Sequence, residues 1–297
     1  MPATGGVAGF VLSGGNVIDA AEMNTRSRYA VERQEAIYDG ASGLIWRKAV
    51  YERLHGGWWL ANLGGLPFLH SIVRLAHLGR DSRVLELGSG AGAACQYLVR
   101  SSGCRATGVE RNVAQLQRAI GRTAASPEAD RLTFLSGDVS SCRDENEFDA
   151  VFLLDTLSLL PDAGSALRTA ASALRVSGQL FLADLGAGPQ ASSSVLERAF
   201  VEDGFCSLLS IDEMKTLLAE SGFAEITFRN RTGQARRALR SVNEWLDDPP
   251  AAIRTAVPDE ALSNWRSVNG FYLNAFETSA LEYRWWRARP IRARRIP

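Results

Sequence analysis

The part of the chain richest in usable chemistry is Val84-Leu85-Glu86-Leu87-Gly88-Ser89-Gly90-Ala91-Gly92. Glycines at alternate positions let a backbone turn tightly and approach a ligand with no Cβ in the way. Taken alone, such a loop serves a dinucleotide-binding turn or marks a tight turn only. Three acids narrow the choice. Glu86, two residues before Gly88, would repel a nearby pyrophosphate and suits a ligand carrying an ammonium group and a sulfonium. Glu110 ends TGVE, where a carboxylate can accept two hydrogen bonds from ribose hydroxyls, as it would in a dinucleotide enzyme. Asp138, in Gly137-Asp138-Val139, can accept from an adenine amino group.

These residues need a scaffold, and the sequence around them alternates accordingly. SRVLELGSG is an apolar strand running into the glycine turn. AACQYLVRSSG is the helix after it, RATGVE the second strand, and NVAQLQRAIGRT the second helix with Asn112 as N-cap. RLTFLSGD and FDAVFLLD are strands three and four. GSALRTAASALRVSG reads as a helix, QLFLADLG as strand five, IDEMKTLLAESG as a helix starting near Ser210 or Asp212, FAEITFRN as strand six and LEYRWWRAR as the last strand. Strands alternating with helices give an α/β protein with a parallel sheet covered on both faces. Ligands on such a sheet bind at the carboxyl ends of the strands, near the switch point.

The flanks differ. From Asp19 to about Leu78 the chain is helical and aromatic, in RYAVERQEAIYD, LIWRKAVYERLH and PFLHSIVRLAHLG, the last stopped by Gly79. Residues 231–278 are rich in Arg, Trp and Asn, helical, and broken at Pro249-Pro250. The expected division is a helical lid over 1–78, a nucleotide-binding core over 79–230, a helical insertion over 231–278, and a last strand with a basic tail over 279–297.

Together the glycine loop, Glu86, Glu110 and Asp138 resemble the class I methyltransferases that use S-adenosylmethionine. The match extends over Asp81–Phe228 and Leu281–Arg287. The resemblance implies a Rossmann-like, seven-stranded, mostly parallel sheet, with S-adenosylhomocysteine as product. It implies that Gly88, Ser89, Gly90 and Gly92 line the methionine end of the cofactor and that Glu86 supports that loop or holds the amino group through water. Glu110 would bind the ribose, Arg111 would cover one adenine face, Gln115 would lie beside them, and Asp138 and Val139 would bind the adenine edge. Leu154, Asp155 and Leu160 would face the methyl group and the amino-acid moiety. A closer resemblance is to the small-molecule branch that holds ubiquinone-type, sarcosine-type and natural-product tailoring methyltransferases. His55-Gly56-Gly57-Trp58-Trp59, LLDTLSLLPDAGSALRTAASALRVSGQL and NAFETSALEYRWWRARP carry it. Several relatives have a histidine shortly after strand four; here the stretch is Leu157-Ser158-Leu159-Leu160.

Methyl transfer asks the protein to align a nucleophile with the S–CH3 bond and to exclude water, and a general base only where the nucleophile is unreactive. His55, one of three histidines, is the candidate catalytic or substrate-binding group; the other reading is a helix-terminal histidine facing the dipole. His70 and His77 read as structural. Tyr38, beside Asp39-Gly40, is placed by the resemblance against the cofactor carboxylate; otherwise it is a buried aromatic. All seven tryptophans lie outside the core, which suits a pocket for a flat or greasy acceptor. Trp58, Trp59, Trp265 and Trp286 are the candidates, Trp285 and Trp286 pointing to opposite faces of their strand. Arg28, Arg33, Arg47 and Lys48 can reach an anionic group or simply face solvent.

Composition bounds the rest. The 297 residues are 46% hydrophobic with a formal net charge of zero, a balance against nucleic-acid and anionic-membrane partners. Cys95, Cys104, Cys142 and Cys206 show no metal spacing and are too few for a disulfide framework, as expected of a reducing cytoplasm. The first residues are neither a signal peptide nor a membrane span. No metal is expected. The Arg-rich tail is a solvated end or a clamp for an anionic substrate. The stretch Asp155-Thr156-Leu157-Ser158 lacks the D/N-P-P-aromatic signature of amino-group nucleic-acid methyltransferases, and no Pro-Cys pair exists. The reading is methyl transfer to an O, N or C atom of a small aromatic, hydrophobic or anionic molecule in bacterial secondary metabolism, by a monomer or homo-oligomer. Its rival is a cyclase or other pericyclic enzyme on the same fold with the cofactor retained.

Overall fold

The computed structural model describes residues 20–39, 60, 63–142 and 145–291, with no side-chain description at 20–23, 38, 39 and 141. Its centre is a seven-stranded sheet. The strands are β1 (Arg83–Leu87), β2 (Arg105–Glu110), β3 (Leu132–Ser136), β4 (Phe148–Leu154), β5 (Leu174–Ala187), β6 (Phe223–Asn230) and β7 (Leu281–Pro290), in the order β3-β2-β1-β4-β5-β7-β6. β7 runs antiparallel to both neighbours; every other pairing is parallel. Val84, Leu85, Ala150, Val151, Phe152 and Leu153 are all fully buried, the continuous apolar run of strands covered on both faces. The chain leaves β1 towards β2 and β3, then returns to place β4 on the other side of β1. That reversal opens a crevice above their carboxyl ends.

One face is covered by α2 (Gly65–Leu75) and α3 (Ala93–Ser102), whose Phe68, Ile72 and Leu98 pack on Phe152 and Phe181. Between β2 and β3 lies α4 (Val113–Thr123), and Asn112 is its N-cap, its side chain accepting from Gln115 N–H. The other face is covered by α5 (Ala163–Ala173) and α7 (Ile211–Glu220), with Leu167 and Met214 against Leu153 and Leu182. Ser210, rather than Asp212, caps α7, in a capping box with Glu213.

Three boundaries differ from the sequence reading. The stretch LRVSG does not extend α5. It is the start of β5, where Leu174 pairs with Phe148 before a bulge shifts the register to Ala150–Gln179. A helix absent from the expectation, α6 (Ser193–Asp203), is capped by Ser192. α2 stops at Leu75, before Gly79, because His77 takes φ +51 and Leu78 N–H returns to Val73 O at 3.0 Å. His77 is therefore outside the helix.

Residues 231–278 are helical: α8 (Thr232–Asp247), α9 (Ala251–Ala256) after the Pro249-Pro250 break, and α10 (Asp259–Glu277). At the other end of the chain, α1 (Ala20–Asp39) rests along α6. Tyr29 Oη and Arg33 Nε donate to Val201 O (3.1 Å) and Glu202 O (2.8 Å), and Arg26 pairs with Glu197 at 2.9 Å. Arg33 thus serves helix packing.

Candidate active site

A cleft with about 1050 Å3 of empty space, part of it open to solvent, lies over the carboxyl ends of β1, β2 and β4. Glu86, Gly88, Ser89, Gly90, Glu110, Arg111, Gln115, Asp138, Val139, Leu154, Asp155 and Leu160 all line it. The sequence had picked these from four separate segments. Gly92 was expected there too, but it is not among the lining residues. It caps α3 at φ +76 beneath Phe134, whose ring carbon Cζ would stand 2.6 Å from a Cβ at this position. Its role is to let the loop dive into the helix. Gly88, at φ +84, turns against Thr156, whose hydroxyl oxygen would be 2.6 Å from a Cβ. Gly90 meets nothing within 4 Å on its open side: there the backbone itself faces the cleft.

Glu110 is fixed by its neighbours. Gly90 N–H donates to Oε2 at 2.7 Å and Asn112 N–H to Oε1 at 2.8 Å. A carboxylate oxygen has two acceptor sites, so each keeps capacity for a ligand hydroxyl. Asp138 caps the short turn Val139–Ser141, accepting from Ser140 N–H at 2.9 Å and Ser140 Oγ at 2.5 Å. Glu86 is buried and accepts from Cys95 Sγ at 3.0 Å. Burial pushes its carboxyl up to about 8, because taking a charge out of water favours the neutral form. Beside it, Ser89 Oγ is buried with no hydrogen-bond partner among the described residues.

The floor holds a second set of acids. Asp155 sits at φ +49 after β4. Its Oδ1 accepts from Tyr283 Oη at 2.6 Å and its Oδ2 from Leu63 N–H at 2.9 Å. Burial, then the facing charge of Asp184, pushes this carboxyl well above the usual range. Burial raises Asp184 to about 6, against the hydrogen bonds that Ser158 Oγ (2.5 Å) and Ser158 N–H (3.0 Å) donate to it.

Several lining residues were not singled out from sequence. Gln34 on α1 is buried over the cleft mouth; it accepts from Arg111 Nη2 at 2.7 Å and donates to Leu159 O (3.0 Å) and Gly204 O (3.1 Å). Leu60 and Thr156 complete the wall, and Tyr283 stands behind Asp155. Gly108 on β2 was also overlooked: a Cβ there would stand 2.6 Å from Ser89 Cβ. Gln34 and Tyr283 act across gaps of 77 and 128 residues, which local patterns do not register.

The other candidates fall elsewhere. His55, Trp58 and Trp59 lie outside the described residues, as do Trp46, Arg47 and Lys48; Tyr38 lies in the last turn of α1, its side chain outside them. Trp265 packs with Val242, Leu246 and Leu262 in the small core of the helical excursion. Trp286 faces the α5–α7 side of the sheet, 4.8 Å from the Phe228 ring, and does not line the cleft; the β7 alternation puts Trp285 on the α2 side instead. His70 Nε2 bonds to Tyr97 Oη on α3. Among the described residues no His, Cys, Asp and Glu group could hold a metal, and no helix is long and apolar enough to cross a membrane.

Comparison with known proteins agrees with this geometry. The chain is 22% identical over 244 residues to phosphoethanolamine N-methyltransferase 1 of Arabidopsis thaliana, covering 80% of this chain and 47% of that protein. It is 28% identical over 180 residues to 27-O-demethylrifamycin SV methyltransferase of Amycolatopsis mediterranei, covering 58% and 66% of the two chains. The chain thus spans about half the length of the plant relative. In structure it superposes on phosphoethanolamine N-methyltransferase 2 of Haemonchus contortus, solved with S-adenosylhomocysteine and phosphomonomethylethanolamine, with a TM-score of 0.76 at 18% identity over 86% of this chain and 59% of that one. Residues 66–227, more than half of the chain, match the methyltransferase domain family, and with the sheet order and glycine cleft described above the chain belongs to that family.

Proposed function

We propose that this methyltransferase uses S-adenosylmethionine, releases S-adenosylhomocysteine, and methylates an O, N or C atom of a small molecule. The observation that carries the proposal is the convergence of Glu86, Glu110 and Asp138 on one cleft around the open side of Gly90. The donor set fits the cofactor. Glu86 is a buried acid that keeps its proton near pH 7 and would give it up beside a cation, Ser89 Oγ is an orphaned polar atom among the described residues, and Glu110 has acceptor capacity for ribose hydroxyls. When bound, S-adenosylmethionine supplies a methyl group already activated on a sulfonium.

The chain's own part is alignment and exclusion of water. Leu154, Leu159 and Leu160 give an apolar wall, and Gln34 and Glu35 bring α1 over the mouth. Asp155, held from two sides, fixes the start of the segment leading into α2. His55 and Tyr38 remain the proposed catalytic groups, and Trp58 and Trp59 the proposed acceptor contacts. The rifamycin relative supports a tailoring role in bacterial secondary metabolism. The four free cysteines support a reducing, cytoplasmic setting.

The test is incubation of the purified chain with methyl-labelled S-adenosylmethionine and a panel of polyketide, aromatic and phosphorylated acceptors. Label should appear in one product class. Turnover of an acceptor without label transfer would overturn methylation in favour of a cyclising reaction. Calorimetry with S-adenosylhomocysteine should show binding that Glu110→Ala abolishes; binding unaffected by that change would overturn the cofactor assignment.

A further inference from the structure

A second cavity lies on the α2 side of the sheet, away from the cofactor cleft. It encloses about 1330 Å3 of space open to solvent, between α2, the sheet edge at β6 and β7, and the start of α8. Four arginines line it: Arg74 from α2, Arg229 from β6, Arg231 from the β6–α8 junction and Arg287 from β7. None of its described lining residues is acidic. None of the four arginines forms an ion pair among the described residues, whereas Arg26, Arg83, Arg100, Arg175, Arg240 and Arg254 all do.

The register places these charges together. Thr227 pairs with Arg287 and Arg229 with Trp285 across the β6–β7 ladder, and cross-strand partners share a face. Arg229 and Arg287 are therefore diagonal neighbours of like charge, an unfavourable arrangement unless an anion joins them. Charged side chains do protect edge strands from pairing with other chains, and that would account for Arg229 alone. It does not account for Arg74, Arg231 and Arg287, which line the groove away from that edge. Beneath the groove, Trp285, only 8% exposed, leaves its indole Nε1–H without an acceptor among the described residues, as Arg231 does its Nε–H, both atoms closed to solvent. The Arg231 guanidinium carbon also lies over the Trp285 ring, 4.4 Å from its centroid. Phe181 continues the aromatic floor.

We propose that this groove is a second binding site, for a phosphomonoester with a flat apolar body. Guanidinium forks match phosphate oxygens with paired hydrogen bonds, and four guanidinium side chains without a carboxylate partner among the described residues converge here. The Trp285–Phe181 floor takes the apolar part. The site is separate from the cofactor cleft but adjoins it. Gln234, on its rim, donates from Nε2 to Gly64 O at 3.1 Å, and the residue before Gly64 is the Leu63 that Asp155 holds from the cleft side.

The test is calorimetry of the full chain with 1-naphthyl phosphate and with inorganic phosphate, each with and without saturating S-adenosylhomocysteine. One molecule of 1-naphthyl phosphate should bind per chain, about tenfold tighter than inorganic phosphate because of the aromatic floor. The double variant Arg229→Gln/Arg287→Gln should weaken it about tenfold or more through loss of charge-assisted hydrogen bonds. Arg240→Gln, an exposed control elsewhere on α8, should leave it unchanged. Both variants should keep the wild-type Tm. Absence of saturable binding, an equal loss in the control, or displacement of the probe by S-adenosylhomocysteine would each overturn the proposal.

Discussion

Gln34 Oε1 accepts from Arg111 Nη2 at 2.7 Å, joining helix α1 to the end of β2 across the mouth of the cleft. The same amide donates to Leu159 O and Gly204 O, so one buried side chain ties the helix to three other segments. Each neutral hydrogen bond contributes about 0.5–1.5 kcal/mol, and a stranded buried partner costs more. Gln34→Ala should therefore loosen α1 and weaken S-adenosylhomocysteine binding about tenfold or more, while the sheet stays folded. Hydrogen exchange should rise in α1 and stay unchanged in β1 and β4. A variant with wild-type affinity and α1 protection would show that α1 does not guard the cleft.

The glycines separate two kinds of position that look alike in sequence. Gly108→Ala puts a Cβ into Ser89, and Gly88→Ala adds a clash with Thr156 to a left-handed backbone; the left-handed strain alone costs about 1–2 kcal/mol. Both should abolish cofactor binding and lower Tm. Gly121, in α4, meets nothing within 4 Å, so Gly121→Ala should stabilise by about 0.5–1 kcal/mol. Thermal melts of the three variants check this; a Gly121→Ala chain less stable than wild type would contradict it.

Much of this organisation was legible in the sequence. The glycine loop, the acids and the caps Asn112 and Ser210 are local signals, set by turn sterics and by side chains bonding to nearby backbone. The alternation of strands and helices also marked the sheet. What escaped was non-local. The LRVSG stretch reads as helix by proximity to α5, yet pairing with β4 decides it. Gln34 reads as one polar residue among several on α1; only packing against Arg111 distinguishes it. Trp285 and Trp286 read as facing opposite sides, but neither lines the cleft, because β7 joins the sheet beyond β5, away from the β1–β4 switch point.

Glu86 carries a pH dependence whose sign follows from its raised value of about 8. Between the ordinary carboxylate range and about 8, the unfolded chain gives up a proton that the folded chain keeps. The folded state then binds more protons, so stability falls as pH rises through that window and levels off above it. Asp184, raised to about 6, adds the same sign over a lower range. Glu86→Gln should flatten the upper part of the profile and raise Tm at pH 8 relative to wild type in the absence of cofactor. If the cofactor's ammonium group sits near Glu86, binding at pH 7 should release protons. Calorimetry in buffers of different ionisation enthalpy would detect them, and a release unchanged in Glu86→Gln would remove this carboxyl as the source.

Asp155 is the residue whose position tempts a catalytic reading, since it lines the cleft and holds its proton unusually well. Its bonds argue for positioning. It accepts from Tyr283 Oη and Leu63 N–H, and its φ of +49 is one that Asn also tolerates. An amide can keep both partners, its oxygen taking the Leu63 N–H and its NH2 donating to the Tyr283 hydroxyl. Asp155→Asn should then cost within about 1 kcal/mol and keep most methyl-transfer activity. Asp155→Ala strands two buried donors and puts alanine in a left-handed backbone, so it should cost about 3 kcal/mol or more. Tyr283→Phe, which removes one bond from a fully buried ring, should fall between them at about 1–3 kcal/mol. The decisive comparison is kcat against Tm across the three. If Asp155→Asn melts like wild type, binds S-adenosylhomocysteine normally and yet loses turnover by a factor of about a hundred or more, the range that general-base loss produces, the carboxyl itself takes part in the reaction.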